Sequence, residues 1–551
     1  MGSFGRLVLA ACFASNALLT QHAGAAAVTN DSPSAGKNPL ADDGFVEVVR
    51  KTMDLFHAPG LAIAVVDGSE EFSKGYGLEH FDDPDRKCTD ETLFYAGSTT
   101  KAQTAACLSM LINDKTYPEL SDGWSTSLAS ILDGDFQYQD EWATAHLTLN
   151  DLVSHRHGLP RHDRALMQEK DGQALSLQEL VRNTRNLADP NEARVQAIYG
   201  NHAYMTLSLV IERLTKKPLK EVMRELLWDP LGMTSTYFGL QDARDGAGDR
   251  LAAGHVWLPE SEKLRNVTYM PLTDVSGAAA VVSNVKDYAR WIKALLNQTE
   301  LFSPEVYADI KQPRMVYEPY SNKITDVSLY GLGWFRTTYK GHVVYMHDGS
   351  MIGFKSWVWW FPDDEYGLVM FTNSDESGTL LKILAWQHLI ADRFAVPEQD
   401  RFNLTQEYLD DVQTTPAQRY DNAVKQLYPE HAKPAGNEAQ TSSSFSPEDL
   451  AGTYADEGYG RMALRVADNG TLTVERPEMT WRYGLTFRHV YADHWIASEA
   501  WLEDMANPGL HHPVEFLKEG GKDGRPGAMR IAWQAGGKTE ANVTFSREAS
   551  L

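Results

Sequence analysis

The chain has 551 residues, a formal net charge of −24 and a pI of about 5.1. Such an excess of carboxylates excludes a protein built to hold nucleic acid or an anionic membrane surface. With 43% hydrophobic and 23% charged residues, the composition is that of a globular protein, long enough for two or three domains around a large core.

Residues 1–27 read as a secretory signal. Arg6 supplies the positive start, 7–19 is apolar apart from Ser15 and Asn16, and Ala23 to Ala27 offers small residues for cleavage. The apolar run is too short for a membrane anchor. Residues 28–42 are small and polar and are predicted to be a loose N-terminus. Phe45, Val48, Val49, Met53, Leu55 and Phe56 recur at helical spacing, and Pro59-Gly60 ends that helix. A buried strand over 61–66, a turn at Asp67-Gly68 and a partner strand over 72–76 follow.

Phe94 to Lys101 is the stretch around which the rest is organised. A glycine and small polar residues end an extended run, and an Ala-rich helical pattern covers 102–114. Ser98 thus falls at a helix N-terminus, where the positive end of the helix favours a developing alkoxide. Lys101, three residues on, lies on the same face and is placed to take or relay the hydroxyl proton.

Further helical patterns cover 149–154, 177–185, 204–215, 219–227 and 284–296. Strand patterns return at 330–338, 342–347, 355–361 and 366–373, and 380–394 reads as a closing helix. Strands at both ends of a helical insert require one sheet that joins the two ends. Trp357, Trp359 and Trp360 read as a buried strand with one ring facing the site. Residues 404–432 are a helical connector, and 433–446 a linker by composition. Beyond it the pattern alternates: Met462, Leu464 and Val466, a turn at Asn469-Gly470, then Leu472 and Val474. Residues 447–551 are read as a small antiparallel barrel or sandwich.

Two more segments bear on Ser98. Tyr199-Gly200-Asn201 precedes a helix, and a phenol next to a lysine ammonium is expected to have a lowered pKa and to shuttle protons to and from Ser98. Asn201 has an amide that can hold Lys101 and a substrate carbonyl. His347-Asp348-Gly349-Ser350 ends one strand pattern ahead of another. The segments Leu152 to Pro160, Asp229 to Met233 and Tyr330 to Trp334 accompany them in order.

Taken together, Ser98-Thr99-Thr100-Lys101, Tyr199-Gly200-Asn201, His347-Asp348-Gly349 and the three accompanying segments resemble the S-x-x-K, Y-x-N, H-x-G, LLSHxSGLP, PLGM and YGLGW signatures of serine β-lactamase-related hydrolases of the class C type. DD-peptidases, D-aminopeptidases, esterases and acyltransferases are among its members. The match runs from about residue 44 to 395. The resemblance implies an α+β fold: an antiparallel sheet flanked by helices beside an all-helical subdomain. The part after 447 resembles the lipocalin-like barrel attached to some D-aminopeptidases and fungal homologues. The expected domains are a signal at 1–27, a catalytic domain at 43–400, a connector and linker at 401–446 and a barrel at 447–551.

The implied chemistry is that of a serine hydrolase acting on an ester or amide of a peptide or small molecule. Ser98, Lys101 and Tyr199 are catalytic, while Asn201, His347, Gly349 and Ser350 bind substrate. The N–H groups of Ser98 and Ser350 form the oxyanion hole, and Gly349 lets the substrate backbone lie close. Histidine instead of lysine at 347 weakens the grip on a substrate carboxylate, so penicillin-type substrates are not favoured. Acyl transfer in secondary metabolism and a catalytically silent binding homologue are the competing readings, and a barrel that caps the site and limits substrate size is a further expectation.

No cofactor is implied, and neither nucleic acid nor, after signal removal, membrane is an expected partner. His155, His157, His162 and Asp163 cluster in the chain, but their spacing is not that of a metallo-hydrolase, so no metal is expected. Cys12 leaves with the signal, and Cys88 and Cys107 are left either paired or separately buried. Six N-x-S/T sequons, at Asn30, Asn266, Asn297, Asn403, Asn469 and Asn542, together with the signal, predict a glycosylated protein of the secretory pathway or extracellular space.

Overall fold

The alternation within Gly60–Asp67 shows how the sheet is made. Leu61, Ile63 and Val65 face one hydrophobic core and Ala62, Ala64 and Val66 the other, and all six are buried. A strand covered on both faces reads as an unbroken apolar run. In this computed structural model, which describes residues 37–411, 415–430, 442–521, 523–535 and 538–549, that strand joins the two ends of the catalytic region. It pairs antiparallel with Tyr366–Thr372 on one side (Leu61 opposite Thr372) and with Glu70–Gly77 on the other. The eight-stranded sheet continues through Phe354–Phe361, His342–Met351, Phe335–Tyr339, Ser328–Tyr330 and Met315–Glu318.

One face packs against Asp43–Leu55, whose N-terminus is capped by Asp42, and against the helical segment beginning at Gly378. That segment includes a π-helical stretch, Ile383–Leu389. Trp357 and Trp359 stack on each other at 5.0 Å on this face, and Trp360 packs on the opposite one against Tyr345. None of the three reaches the site, so the expectation of a site-facing ring fails: both faces of this strand are used by the core.

The opposite face carries the helical region and, at its centre, Thr100–Asp114. Twelve of its fifteen residues are buried. It is covered on nearly every side, and its polar side chains bond to the elements around it: Gln103 Oε1 accepts from the Trp228 indole at 2.8 Å, and the Thr104 hydroxyl donates to Gly277 O at 2.8 Å. The predicted strand over 330–338 is broken at Gly333 (φ +72°), where a β-carbon would meet the Ala102 backbone at 2.5 Å. The chain turns there because the sheet crosses the central helix. The predicted helix over 219–227 becomes Leu219–Met223 followed by a π turn, Arg224–Trp228.

Residues from Asn38 onward form one compact unit. Residues 39–42, predicted loose, are packed: Leu40 is buried and its carbonyl accepts from Tyr76 at 3.0 Å. The signal segment, Cys12 and Asn30, and most of the linker, lie outside the described residues. Cys88 and Cys107 are both free and buried.

The C-terminal part is a closed eight-stranded antiparallel barrel in which each strand pairs with the next. Tyr454 and Ala455 of Gly452–Asp456 meet Arg547 and Ser546 of Lys538–Arg547 to close it. Asn469-Gly470 makes the expected turn, with Gly470 at φ +80°. The barrel is fastened to the catalytic region by backbone bonds from Gln168 to Glu478 (2.9 Å) and from Thr480 to Leu166 (3.0 Å). A bidentate ion pair joins Arg164 to Glu499 at 2.9 and 3.0 Å.

Candidate active site

Ser98 lies in a single 3-10 turn, Gly97–Thr99, that runs into the central helix. Gly97 has φ +56°, and a β-carbon there would sit 2.8 Å from the Ser350 nitrogen. A β-carbon on Gly349 would meet Ala96 O at 2.0 Å. Both glycines therefore serve one purpose: they let the strand His342–Met351 lie against the serine turn, bringing the backbone of Ser350 beside it. The Ser350 hydroxyl itself accepts from Lys355 at 2.9 Å.

Lys101 is fully buried, and its Nζ has three neighbours: Asn201 Oδ1 at 2.8 Å, Ala278 O at 2.8 Å and Ser98 Oγ at 3.1 Å. The first two only accept. They fix two N–H bonds and leave the remaining tetrahedral position aimed at the Ser98 hydroxyl. Burial, reinforced by the Arg161 charge, holds this amine well below the usual lysine range, against a smaller opposing pull from Asp163. A neutral amine with its lone pair on Ser98 is a base.

The lowered pKa expected for Tyr199 is not found. Burial raises its pKa well above the ordinary value, the Asp348 charge adds to that, and the neighbouring Ser98 hydroxyl pulls the other way without outweighing them. The Lys101 amine lies over the ring face, 4.7 Å from its centroid, and does not offset the effect of burial. Tyr199 stays a phenol and acts as a donor.

Asn201 was assigned to Lys101 and a substrate carbonyl. The contact with Lys101 is made, and one N–H of its Nδ2 goes to Asp163 Oδ1 at 2.9 Å, while the side chain lines the cavity. Asp163 in turn holds Arg161 through Nε and Nη2, and the Arg161 guanidinium lies 5.0 Å from the Tyr199 ring centroid. A relay of polar contacts thus runs Arg161–Asp163–Asn201–Lys101–Ser98. Asp163 stood in the chain beside a histidine cluster, which hid its role. The signal for it was its position just after the Leu152 to Pro160 signature.

The clustered histidines serve other ends. His162 bonds the Tyr459 hydroxyl of the barrel at 2.6 Å and Ala188 O at 2.7 Å. His155 accepts the Gly200 N–H at 3.3 Å on Nδ1 and packs on the Tyr199 ring at 4.4 Å. A β-carbon on Gly200 would meet His157 Nε2 at 3.1 Å. The two rings clasp the middle residue of Tyr199-Gly200-Asn201, and burial keeps both uncharged.

His347 does not face the cavity. It is buried, donates from Nδ1 to Asp348 O at 2.6 Å and accepts on Nε2 from Tyr330 at 3.1 Å. Burial lowers its pKa to about 4. The side chain that reaches the cavity from this motif is Asp348.

The cavity has a volume of about 390 Å3. The catalytic region lines it with Ser98, Tyr199, Asn201, Arg161 and Asp348, and the barrel with Trp481, Tyr483, Glu499 and Trp501. The barrel therefore forms a wall of the site. Among the described residues no group of three or more His, Cys, Asp or Glu side chains is placed to hold a metal ion.

Comparison with known proteins bears on the family and the fold. The beta-lactamase family model matches residues 45–392. The chain is 34% identical over 506 residues to an unguisins hydrolase of Aspergillus campestris, covering 90% of both chains. It is 32% identical to the unguisins hydrolase of Aspergillus violaceofuscus, covering 94% of this chain and 92% of that one. The octameric penicillin-binding protein homologue from Pyrococcus abyssi shares the fold, with a TM-score of 0.56, 16% identity, and coverage of 89% of this chain and 98% of that one. An antiparallel sheet against a buried helix that begins in Ser98-x-x-Lys101, closed by an eight-stranded barrel, thus has relatives along nearly its whole length, and the chain belongs to the beta-lactamase family of hydrolases.

Proposed function

We propose that this protein is a secreted serine hydrolase that opens an amide or ester bond of a peptide-like substrate through an acyl-enzyme on Ser98. The observation that supports it most is the buried Lys101 amine, 3.1 Å from Ser98 Oγ, with its two other N–H bonds committed to pure acceptors. Lys101 takes the hydroxyl proton as Oγ bonds to the carbonyl carbon, and the carbonyl oxygen turns to the Ser98 and Ser350 N–H groups. The Tyr199 hydroxyl delivers its proton to the leaving nitrogen or oxygen as that bond breaks and takes up in turn the proton held by Lys101, so the proton lost by Ser98 ends on the leaving group and both side chains are reset. Water then attacks the acyl-enzyme, giving a proton to Lys101, while Tyr199 returns a proton to Ser98 Oγ as the ester bond breaks and regains one from Lys101.

The names of the two Aspergillus relatives suggest unguisins, or compounds of similar chemistry, as the substrates to try first. Ser98→Ala should abolish both turnover and labelling by a serine-reactive fluorophosphonate, and persistence of either rejects the assignment. Acyl transfer shares every step up to the acyl-enzyme, and product analysis with and without an added amine separates the two.

Secretion and glycosylation are part of the proposal. Asn266, Asn297, Asn403, Asn469 and Asn542 are all exposed, as acceptor sites must be, and no helix among the described residues is long and apolar enough to cross a membrane. N-terminal sequencing and glycosidase treatment of protein from culture medium test both points.

A further inference from the structure

A second cavity, of about 370 Å3, lies beside the catalytic one. Arg164, Asp375, Glu499, Trp501 and Leu510 line both. Its far wall is Asn507, Pro508 and Gly509, from the loop that joins two barrel strands, with Arg419 of the connector helix Pro416–Leu427. Each cavity alone is near the bottom of the range of roughly 300–1,000 Å3 typical of ligand pockets.

We propose that the two cavities are one binding cleft, and that the second is a distal subsite for an uncharged polyamide chain whose scissile bond lies at Ser98. This rests on the acyl-enzyme reading above. The chemistry of the lining decides the class of occupant. The charges where the cavities meet are already matched: Arg164 with Glu499, and Asp375 with Lys355 at 2.8 Å. Arg419 is bonded to Asn507 and faces the second cavity together with the Asp504 carboxylate, so charges of both signs are present there as well. With Lys355 included, the lining carries no net charge that calls for a compensating ion. What remains for a ligand is the Trp501 ring and Leu510 for apolar side chains, beside polar groups able to meet backbone amides. Contacts so far from the reacting carbonyl act by holding the chain in place, and their binding energy appears in the rate as well as in KM.

Gly509 gives a steric probe. A β-carbon there meets nothing within 4 Å, and its N–H bond to Glu499 O at 3.0 Å is made by backbone and survives a change of side chain. Gly509→Trp should therefore fold and fill the second cavity. The assay uses full-length protein and alanyl peptide amides of two, four and six residues, in all-L and all-D series, with thermal melting as the check on folding. The wild type should show kcat/KM rising by about tenfold or more from the shortest to the longest substrate, and Gly509→Trp should erase that rise. No gain with length in the wild type overturns the shared cleft, as does an equal loss at every length, or no loss, in the variant. Labelling of Ser98 by a fluorophosphonate without turnover of any peptide overturns the distal subsite and leaves the acyl-enzyme reading standing. Absence of labelling overturns that reading as well.

Discussion

Asn201 donates its side-chain nitrogen to Asp163 at 2.9 Å, and that bond decides which end of the amide faces Lys101. A carboxylate only accepts, so the oxygen must turn to the lysine. Asp163→Asn offers a donor in its place, lets the amide rotate and leaves Arg161 without its counter-charge. We expect kcat to fall by about 100-fold with the fold retained, since a positioned proton carrier contributes roughly 10²–10⁴. Asp163→Glu should recover part of the loss. Steady-state kinetics of the two variants checks this, and wild-type rates in Asp163→Asn would remove the relay from the mechanism.

On the proposed mechanism, the pH profile follows from two proton carriers. Lys101 works as the free amine, and its pKa lies well below the usual value, so kcat/KM should rise with pH through that lowered value and be level long before pH 10. Tyr199 works as the phenol and its pKa lies well above 10, so the alkaline fall should come late. The expected profile is a wide plateau across neutral pH. An acid limb close to the ordinary lysine value would mean that Lys101 is charged at rest.

The Arg164–Glu499 pair is the electrostatic seam between the catalytic region and the barrel. Burial alone would raise the Glu499 pKa, but Arg164 and His512 outweigh it and bring the carboxyl down to about 2. A carboxyl lowered on folding adds stability that is complete above its unfolded value and is lost as pH falls from there towards 2. Glu499→Gln leaves Arg164 buried without a partner and should cost about 3–5 kcal/mol. Thermal melts of both proteins between pH 7 and pH 3 test this: the wild type should lose stability on acidification more steeply than the variant.

Gly349→Ala places a β-carbon 2.0 Å from Ala96 O, a backbone atom that cannot swing away. The strand must retreat from the serine turn and take the Ser350 N–H with it. A displacement of about 1 Å at a reacting centre costs on the order of 100-fold, so kcat should fall by that much. Fluorophosphonate labelling of Ser98 should slow in parallel, while circular dichroism stays that of the wild type. Labelling at the wild-type rate would show that this N–H plays no part in oxyanion binding.

His155 is a positioning residue. His155→Phe keeps the packing on Tyr199 but removes the acceptor for the Gly200 N–H, an orphaned donor worth about 1–3 kcal/mol. Alongside that loss of stability, the acid limb of kcat/KM should shift as the Tyr199-Gly200-Asn201 turn, and with it the Asn201 oxygen on Lys101, moves. His155→Gln, which restores an acceptor, should bring the limb back. An unmoved limb in His155→Phe would make the contact purely structural.

Much of this was legible in the chain. The alternating cores, the Asn469-Gly470 turn and the three-residue step from Ser98 to Lys101 are local patterns, and local patterns survive folding. Tyr199 and Asn201 were visible as a spaced pair. The sign of the Tyr199 shift was not, because it depends on how deeply the ring is covered, and that cover comes from distant segments. His347 shows the same limit: its place in a motif marked it for the substrate, while a hydrogen bond from Tyr330 turns it to the core. Trp481, Glu499 and Trp501 reach the serine from some 400 residues further along, and no spacing rule spans such a distance.

That the barrel walls the cavity has an evolutionary consequence. The residues around Ser98 that the proposed chemistry uses are encoded before residue 351, whereas Trp481, Tyr483, Glu499 and Trp501, which wall the same cavity, are encoded after residue 480. On the proposed function, drift in the later segment could retune preference among descendants while the reaction itself is inherited intact.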